Sequence, residues 1–149
     1  MKEYLCRDFD RRQDCPCRPA AGAGPRDRGT EPFVSHPNVK FINEIHDVQR
    51  KADFINTCDA MLHARERGES FGLSIAEFLS LNKPVLAWNN GHDLNHIDML
   101  KDSGLLYNDA SHLNYMLHNL LEFKQDWTKR VEQYKPEAVM KKFNEVFLC

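Results

Sequence analysis

The chain lacks an apolar run long enough to cross a bilayer, and its first residues, MKEYLCRDFDRR, lack the apolar core of a secretory signal. It also lacks a strong excess of either charge. The formal net charge of its 149 residues is −2, so electrostatics gives no reason to expect a nucleic-acid partner. These absences favour a cytoplasmic protein without a membrane span. The apolar and charged fractions, 42% and 28%, are ordinary for a single globular domain.

The five cysteines show neither the spacing of a disulfide framework nor the paired clusters of a structural zinc site. Cys6, Cys15 and Cys17 could be imagined as soft metal ligands, but a zinc site normally uses four ligands in a recognisable spacing. We therefore expect reduced thiols and no bound metal.

The composition changes abruptly near residue 30. Residues 1–30 contain six Arg and one Lys but no Asn, Val or Ile, whereas residues 31–149 contain four Arg, nine Lys and eleven Asn. The tract RPAAGAGPRDRG has no periodic apolar residues and can add little to a core. We expect residues 1–30 to be a poorly ordered extension, either a foreign leader or a natural flexible tail, and residues 31–149 to form the folded domain.

From residue 34 onward, short apolar runs alternate with amphipathic segments. The pattern predicts strands at residues 39–42, 60–63, 84–88 and 105–107. It predicts helices at residues 47–58, 73–81 and 94–101, a helix carrying Leu113, Met116, Leu117, Leu120 and Leu121, and two C-terminal helices separated at Pro136. This alternation implies an α/β fold with a Rossmann-like parallel sheet flanked by helices.

In such sheets the ligand crevice lies beyond the carboxyl ends of the strands. The loops that follow the predicted strands there are residues 43–46, 64–72 and 89–93. We expect the chemistry of this protein in these three loops.

The second of these loops enters a helix through the sequence ESFGLSIAE, in which Glu69 and Glu77 bracket Gly72. Gly72 can bring its backbone close to a ligand while opening the helix. The amides at that helix start, from about Gly72 to Ser74, suit a diphosphate. Glu77 falls on the same helical stripe as Leu73, and a carboxylate on a packed helix needs a partner such as the vicinal hydroxyls of a ribose.

The E-x7-E pattern with SFGLSIA inside it resembles the signature of retaining glycosyltransferases of the GT-B fold, especially the large glycosyltransferase family 4 (GT4). The segments HAR and NKPVLAW resemble one branch of that family, and the similarity extends from about residue 39 to the C-terminal helices. The resemblance implies the C-terminal, donor-binding domain of such an enzyme. Its implied donor is a UDP- or GDP-sugar, and the sugar passes to a glycan, lipid or protein acceptor with retention of configuration and without a metal.

The same resemblance implies roles for individual residues. Glu69 matches the catalytic-site carboxylate that contacts hydroxyls of the donor sugar, and Glu77 matches the carboxylate that holds the ribose. Gly72 and Leu73 match backbone amides near the distal phosphate and sugar, and Ser74 follows where a diphosphate contact is common. The paired carboxylates are therefore not read as the nucleophile and acid of a glycosidase.

Three further donor contacts are expected outside this core. Ile42 and Asn43 match the region that meets the base, and Arg65 can neutralise phosphate with its planar guanidinium. The family's first domain and the basic residue of this domain's opening strand have no counterpart in the sequence. We therefore expect half an active site, with little turnover in isolation and an exposed wall that favours self-association. A folded fragment that binds nothing and a nucleotide-sugar epimerase or hydrolase are the alternatives.

Several residues also have purely structural interpretations. Ser74 and Glu77 fit a capping box with Ser74 as the N-cap. His92 and His96 stand four residues apart, but exposed imidazoles at a surface helix start are favoured over a metal site. His63, at the end of a predicted strand, is expected either to line the cleft or to be a hydrogen-bonded structural residue.

Overall fold

The computed structural model describes Glu3–Leu5 and residues 38–40, 42–65, 67–102 and 105–148. The chain divides into two compact units, one formed by Met1–Arg7 with Cys58–Cys149 and the other by Asp8–Thr57. Most of the predicted extension and its boundary at residue 31 lie outside the described residues. Within that stretch Glu3–Leu5 form a strand, β1, which the sequence pattern did not predict.

The first unit is an α/β structure built on a four-stranded sheet in the order β1-β2-β3-β4. Strands β2 (Ala60–His63), β3 (Val85–Trp88) and β4 (Leu106–Tyr107) are parallel to one another, and β1 pairs antiparallel with β2. In the register of β2 and β3, His63 lies opposite Ala87. The three predicted parallel strands are thus confirmed, each within one residue of its predicted bounds.

The described residues contain four α-helices, α1 (Val48–Thr57), α2 (Leu73–Ser80), α3 (Ala110–His118) and α4 (Pro136–Phe147). They also contain the 3-10 helices Asn95–Met99, Leu120–Glu122 and Trp127–Tyr134. The helix predicted at residues 94–101 and the first of the C-terminal pair are therefore 3-10 rather than α. Pro136 begins α4, where its missing N–H leaves no helical bond unmade. No helix in the described ranges is long and apolar enough to span a bilayer.

The second unit contains α1, which confirms the helix predicted at residues 47–58. The strand predicted at residues 39–42 is wrong for the residues described there, because Val39, Lys40 and Ile42 have no regular structure. Val39 and Ile42 are 46% and 38% exposed. A short apolar run forms a strand only where a sheet buries it, and its periodicity alone does not reveal that burial.

Both faces of the parallel strands are covered. On one face a core cluster joins the sheet to α3 and the segment after it: Ala60, Leu86, Tyr107, Met116 and Leu120. On the other face Met61, Val85 and Ala87 are fully buried, and α2 contacts both β2 and β3. This two-sided burial is typical of parallel sheets. It fixes the carboxyl ends of β2 and β3 side by side.

The C-terminal end of α2 is held by a side chain. Just beyond the helix, Asn82 adopts a left-handed backbone with φ 58°, a conformation that Asn tolerates better than most residues. Its Oδ1 accepts a hydrogen bond from the backbone N–H of Trp127 at 2.9 Å. This bond ties the end of α2 to the start of the 3-10 helix Trp127–Tyr134.

Candidate functional site

The loops after β2 and β3 are joined to each other through their backbones. Gly68 and Asp93 form an isolated parallel bridge. The N–H of Glu69 donates to the Asp93 carbonyl at 3.2 Å, and the N–H of Asp93 donates to the Arg67 carbonyl at 2.9 Å. The two loops therefore meet at the carboxyl edge of the sheet.

Only glycine fits at position 68. Its φ is +75°, in the left-handed region, and a Cβ built there would lie 1.8 Å from the carbonyl oxygen of Asp93. The close approach of the two loops thus depends on the absence of a Cβ at Gly68. Nothing local in the sequence signals this pairing, since the two residues are far apart in the chain.

Gly72 opens α2, as the sequence analysis predicted. It is the N-cap, with φ 83° and ψ 60°, and no side chain caps the helix. A Cβ on Gly72 would lie 3.0 Å from the Cβ of His96 and 3.5 Å from Oε2 of Glu69. The helix start, the Glu69 carboxylate and His96 therefore converge within a few ångströms.

The capping-box interpretation of Ser74 and Glu77 is wrong, because Gly72 and not Ser74 is the N-cap. Ser74 lies inside the first turn, is 2% exposed, and its Oγ has no hydrogen-bond partner among the described residues. A buried hydroxyl without a partner is uncommon in a folded protein. The Ser74 hydroxyl therefore adds a polar group to the start of α2.

Glu69 is mostly buried, with 15% of its side chain exposed, and is held from two sides. Its Oε1 lies 2.6 Å from Nη1 of Arg65 and 3.5 Å from Nε2 of His63. Burial raises the pKa of Glu69, but the hydrogen bond from Arg65 and the contact with His63 together outweigh it and hold the pKa below its ordinary value. Glu69 is therefore an ionised, positioned carboxylate and not a solvated loop residue.

Two buried histidines lie behind this carboxylate. His63, the last residue of β2, is 4% exposed, and its ring lies 4.9 Å from that of His96, which is fully buried. Nδ1 of His96 lies 3.3 Å from the backbone N and 3.2 Å from the backbone O of Glu69. Burial, aided by the neighbouring His96, lowers the pKa of His63, so that its imidazole is neutral at neutral pH.

The sequence analysis missed the role of His96. The expectation of exposed imidazoles holds for His92, whose side chain is 91% exposed, but is wrong for His96. Residues three apart lie on one face of a 3-10 helix, so His96 falls on the same buried side as Met99. Among the described residues, no group of His, Cys, Asp or Glu is arranged to hold a metal ion.

Glu77 lies on the same stripe of α2 as Leu73, as the sequence analysis predicted, and this stripe is not the packed face of the helix. The buried residues of this helix are Ser74, Ile75, Phe78 and Leu79. Leu73, one turn before Glu77, is 70% exposed, and Glu77 itself is half-buried. The stripe of Leu73 and Glu77 is therefore the more open side of the helix, where a ligand can reach it.

The remaining predicted residues are arranged differently. Arg65 lies in the first unit, more than half exposed, and pairs with Glu69. Ile42 and Asn43 belong to the second unit, and both are exposed. The geometry described above is thus that of the first unit and brings together Arg65, Glu69, Gly72 and the start of α2.

No known protein family, curated protein or solved structure matches this chain. The geometry at the carboxyl ends of β2 and β3 is therefore the basis on which a function can be proposed.

Proposed function

We propose that this chain carries a Rossmann-like, donor-binding domain that recognises a nucleotide-diphospho-sugar for retaining glycosyl transfer, as in the C-terminal half of a GT-B enzyme. One observation carries the proposal: an ionised, positioned carboxylate, Glu69, stands directly before a glycine-opened helix at the carboxyl edge of a parallel sheet. A carboxylate beside a helix N-terminus suits a ligand with hydroxyls next to a diphosphate.

Each part of the proposed ligand has a matching group. The first-turn amides of α2, which no side chain caps, suit the diphosphate, with the backbones of Gly72 and Leu73 nearest it and Ser74 beside them. The Glu69 carboxylate accepts hydroxyls of the sugar. Glu77, on the open side of α2, accepts the ribose hydroxyls.

Arg65 has two possible partners in this scheme. In the structure its guanidinium holds Oε1 of Glu69, and its side chain is 54% exposed. A diphosphate at the start of α2 competes for that guanidinium, because phosphate oxygens match its planar donors as well as a carboxylate does. We expect Arg65 to turn toward the diphosphate when donor binds.

The remaining expectations belong to the same proposal. A UDP- or GDP-sugar is the proposed donor without a metal, and the protein is proposed to act in the cytoplasm. Turnover needs an acceptor site that these residues do not form. The chain alone is therefore proposed to bind donor with little transfer activity.

The Arg65–Glu69 ion pair also favours a second candidate, a folded domain that binds no donor. A carboxylate already neutralised at 2.6 Å has less need of a ligand. Calorimetric titration of the full chain with UDP, GDP, UDP-glucose and GDP-mannose in the presence of EDTA separates the two. Saturable binding of one nucleotide and its sugar supports the proposal, and no heat at millimolar ligand supports the second candidate.

Two variants test the individual roles. Glu77→Ala should weaken bare nucleotide and sugar nucleotide alike, by about 1.5–3 kcal/mol, the usual worth of a charged hydrogen bond. Glu69→Gln should weaken the sugar nucleotide more than the bare nucleotide. The control is Glu122→Ala, which removes an exposed carboxylate from the 3-10 helix Leu120–Glu122 and should change neither affinity. Equal losses of both ligands in Glu69→Gln would contradict its assignment to the sugar.

A further inference from the structure

The two oxygens of the Glu69 carboxylate have different surroundings. Both side-chain contacts fall on Oε1, from Nη1 of Arg65 at 2.6 Å and from Nε2 of His63 at 3.5 Å. Oε2 lies on the side of Gly72, 3.5 Å from the position a Cβ would take there. One oxygen is thus turned toward protein donors and the other toward the start of α2.

The sheet and the packing of its ring fix the position of His63. It ends β2, where the parallel pairing with β3 fixes its backbone, and its ring is buried against that of His96. The charged or titratable groups that face its ring are Glu69 and Arg65 from the following loop and His96 from the 3-10 helix. Among the described residues, neither ring nitrogen has a partner that meets the geometry of a good hydrogen bond. At 3.5 Å, Oε1 of Glu69 is the acceptor within reach of Nε2.

His96 fixes the backbone of the same glutamate. The N–H of Glu69 already donates to the Asp93 carbonyl at 3.2 Å. We therefore assign a proton to Nδ1 of His96, which donates it to the Glu69 carbonyl, also at 3.2 Å. The backbone of Glu69 is therefore held from the loop after β3, and its side chain is approached from the end of β2. Rotation of the carboxylate is the main freedom that remains.

We propose that His63 is a positioning residue for Glu69: its Nε2–H holds Oε1, so that Oε2 is presented to a sugar hydroxyl at the start of α2. The role rests on the proposed function, because it matters most when a diphosphate draws Arg65 away from Oε1. A neutral imidazole with its proton on Nε2 then remains as the protein donor to this oxygen, and the 3.5 Å contact shortens into a hydrogen bond. His63 touches no ligand itself and acts through Glu69.

Binding measurements test this role. His63→Leu removes the donor but keeps an apolar side chain of similar size, and His63→Gln keeps an amide donor. We expect His63→Leu to weaken binding of UDP-glucose, or of GDP-mannose if that is the donor bound, roughly three- to tenfold, because the lost hydrogen bond acts on the ligand only through Glu69. The bare nucleotide should bind unchanged, and His63→Gln should recover most of the loss. His118→Gln, an exposed histidine on α3, is the control.

Two further measurements need no ligand. Nitrogen-15 chemical shifts of the imidazole in the wild-type chain report which ring nitrogen carries the proton. The proposal requires the proton of His63 on Nε2 at neutral pH, and a proton on Nδ1 overturns it. Carbon-13 titration of the Glu69 carboxyl should show a higher pKa in His63→Leu than in wild type, and an unchanged pKa also overturns it.

The outcomes separate this inference from the proposed function. If the Glu69 titration moves but the wild-type chain binds no sugar nucleotide, the contact between His63 and Glu69 stands and the proposed function falls. If donor binds equally well to wild type and a folded His63→Leu variant, the proposed function stands and the positioning role falls.

Discussion

The loop between β2 and α2 and the terminal helix α4 are held in opposite ways. The loop has almost no regular structure, yet its backbone is bridged to the next loop at Gly68, and its Glu69 carboxylate is paired with Arg65 and lies 3.5 Å from Nε2 of His63. Helix α4 is fully regular over Pro136–Phe147, yet none of its residues is buried. Regular secondary structure and tertiary fixation are thus separate properties in this chain.

The exposed side of α4 is apolar. Val146 and Phe147 are 62% and 68% exposed, and the rings of Phe143 and Phe147 pack on each other with centroids 4.9 Å apart. Between α4 and the 3-10 helix Trp127–Tyr134 lies an open hollow of about 460 Å³. The structure thus shows an exposed apolar face on α4. The difference between the fixed loop and the exposed helix can be tested by substitutions in each of them.

The largest effect is expected from Gly68→Ala. The new Cβ would collide with the Asp93 carbonyl and the backbone would be strained at φ +75°, so we expect a loss of at least about 3 kcal/mol in the free energy of unfolding. Urea unfolding measures it. Gly91→Ala is the matched control, because Gly91 lies in the partner loop without a left-handed backbone. Similar small losses for both variants would mean that the loop is not braced at Gly68.

An intermediate effect is expected from acid. The unfolded chain binds a proton at His63 near pH 6.5, whereas burial lowers the pKa of His63 in the native state. Between these two pKa values unfolding takes up a proton, so the contribution of neutral His63 to stability is complete above about pH 6.5 and is lost as the pH falls below it. One such proton changes the free energy of unfolding by at most about 1.4 kcal/mol per pH unit.

His63→Gln should therefore lose less stability than wild type as the pH is lowered from 6.5 toward 5, while His118→Gln should follow wild type. Chemical unfolding at several pH values measures the slopes. The lowered pKa of Glu69 adds a separate loss below its ordinary value of 4.5, with the same sign, in all three proteins. Identical slopes for wild type and His63→Gln above that range would show that His63 is not buried in its neutral form.

The smallest effect on stability is expected in α4. Phe147→Ser removes an aromatic side chain that is 68% exposed, so the free energy of unfolding should change by less than about 0.5 kcal/mol. Any self-association through this face should weaken, as measured by sedimentation. Tyr115→Ser, at a 62% exposed aromatic on α3, is the control and should leave association unchanged. A large loss of stability in Phe147→Ser would contradict the view that α4 is loosely packed.

The elements that were predicted correctly are those whose local apolar pattern indicates which residues are buried. Strands β2, β3 and β4 were predicted from short apolar runs, and helices α1 to α3 from the amphipathic segments between and after them. The apolar run at residues 39–42 carries the same local signal, but Val39 and Ile42 are exposed. Local pattern cannot report whether a partner strand is present.

The site was predictable where it depends on local geometry. Gly72 as the opening of α2 followed from the motif. The bracing by Gly68, Asp93 and His96 could not be predicted, because it consists of backbone contacts between distant segments. The stripe shared by Leu73 and Glu77 was predicted, but the sequence did not reveal that this side of α2 is the more exposed one.

Helix α2 is fastened at both tips: its first turn abuts His96 at Gly72, and its far end is tethered through Asn82 to Trp127. These contacts restrict movement of α2 along and across its axis. Under the proposed function, a diphosphate at the first-turn amides meets a helix start that is already in place. Little ordering of the helix then accompanies binding, and affinity depends on how well the ligand fits this fixed start.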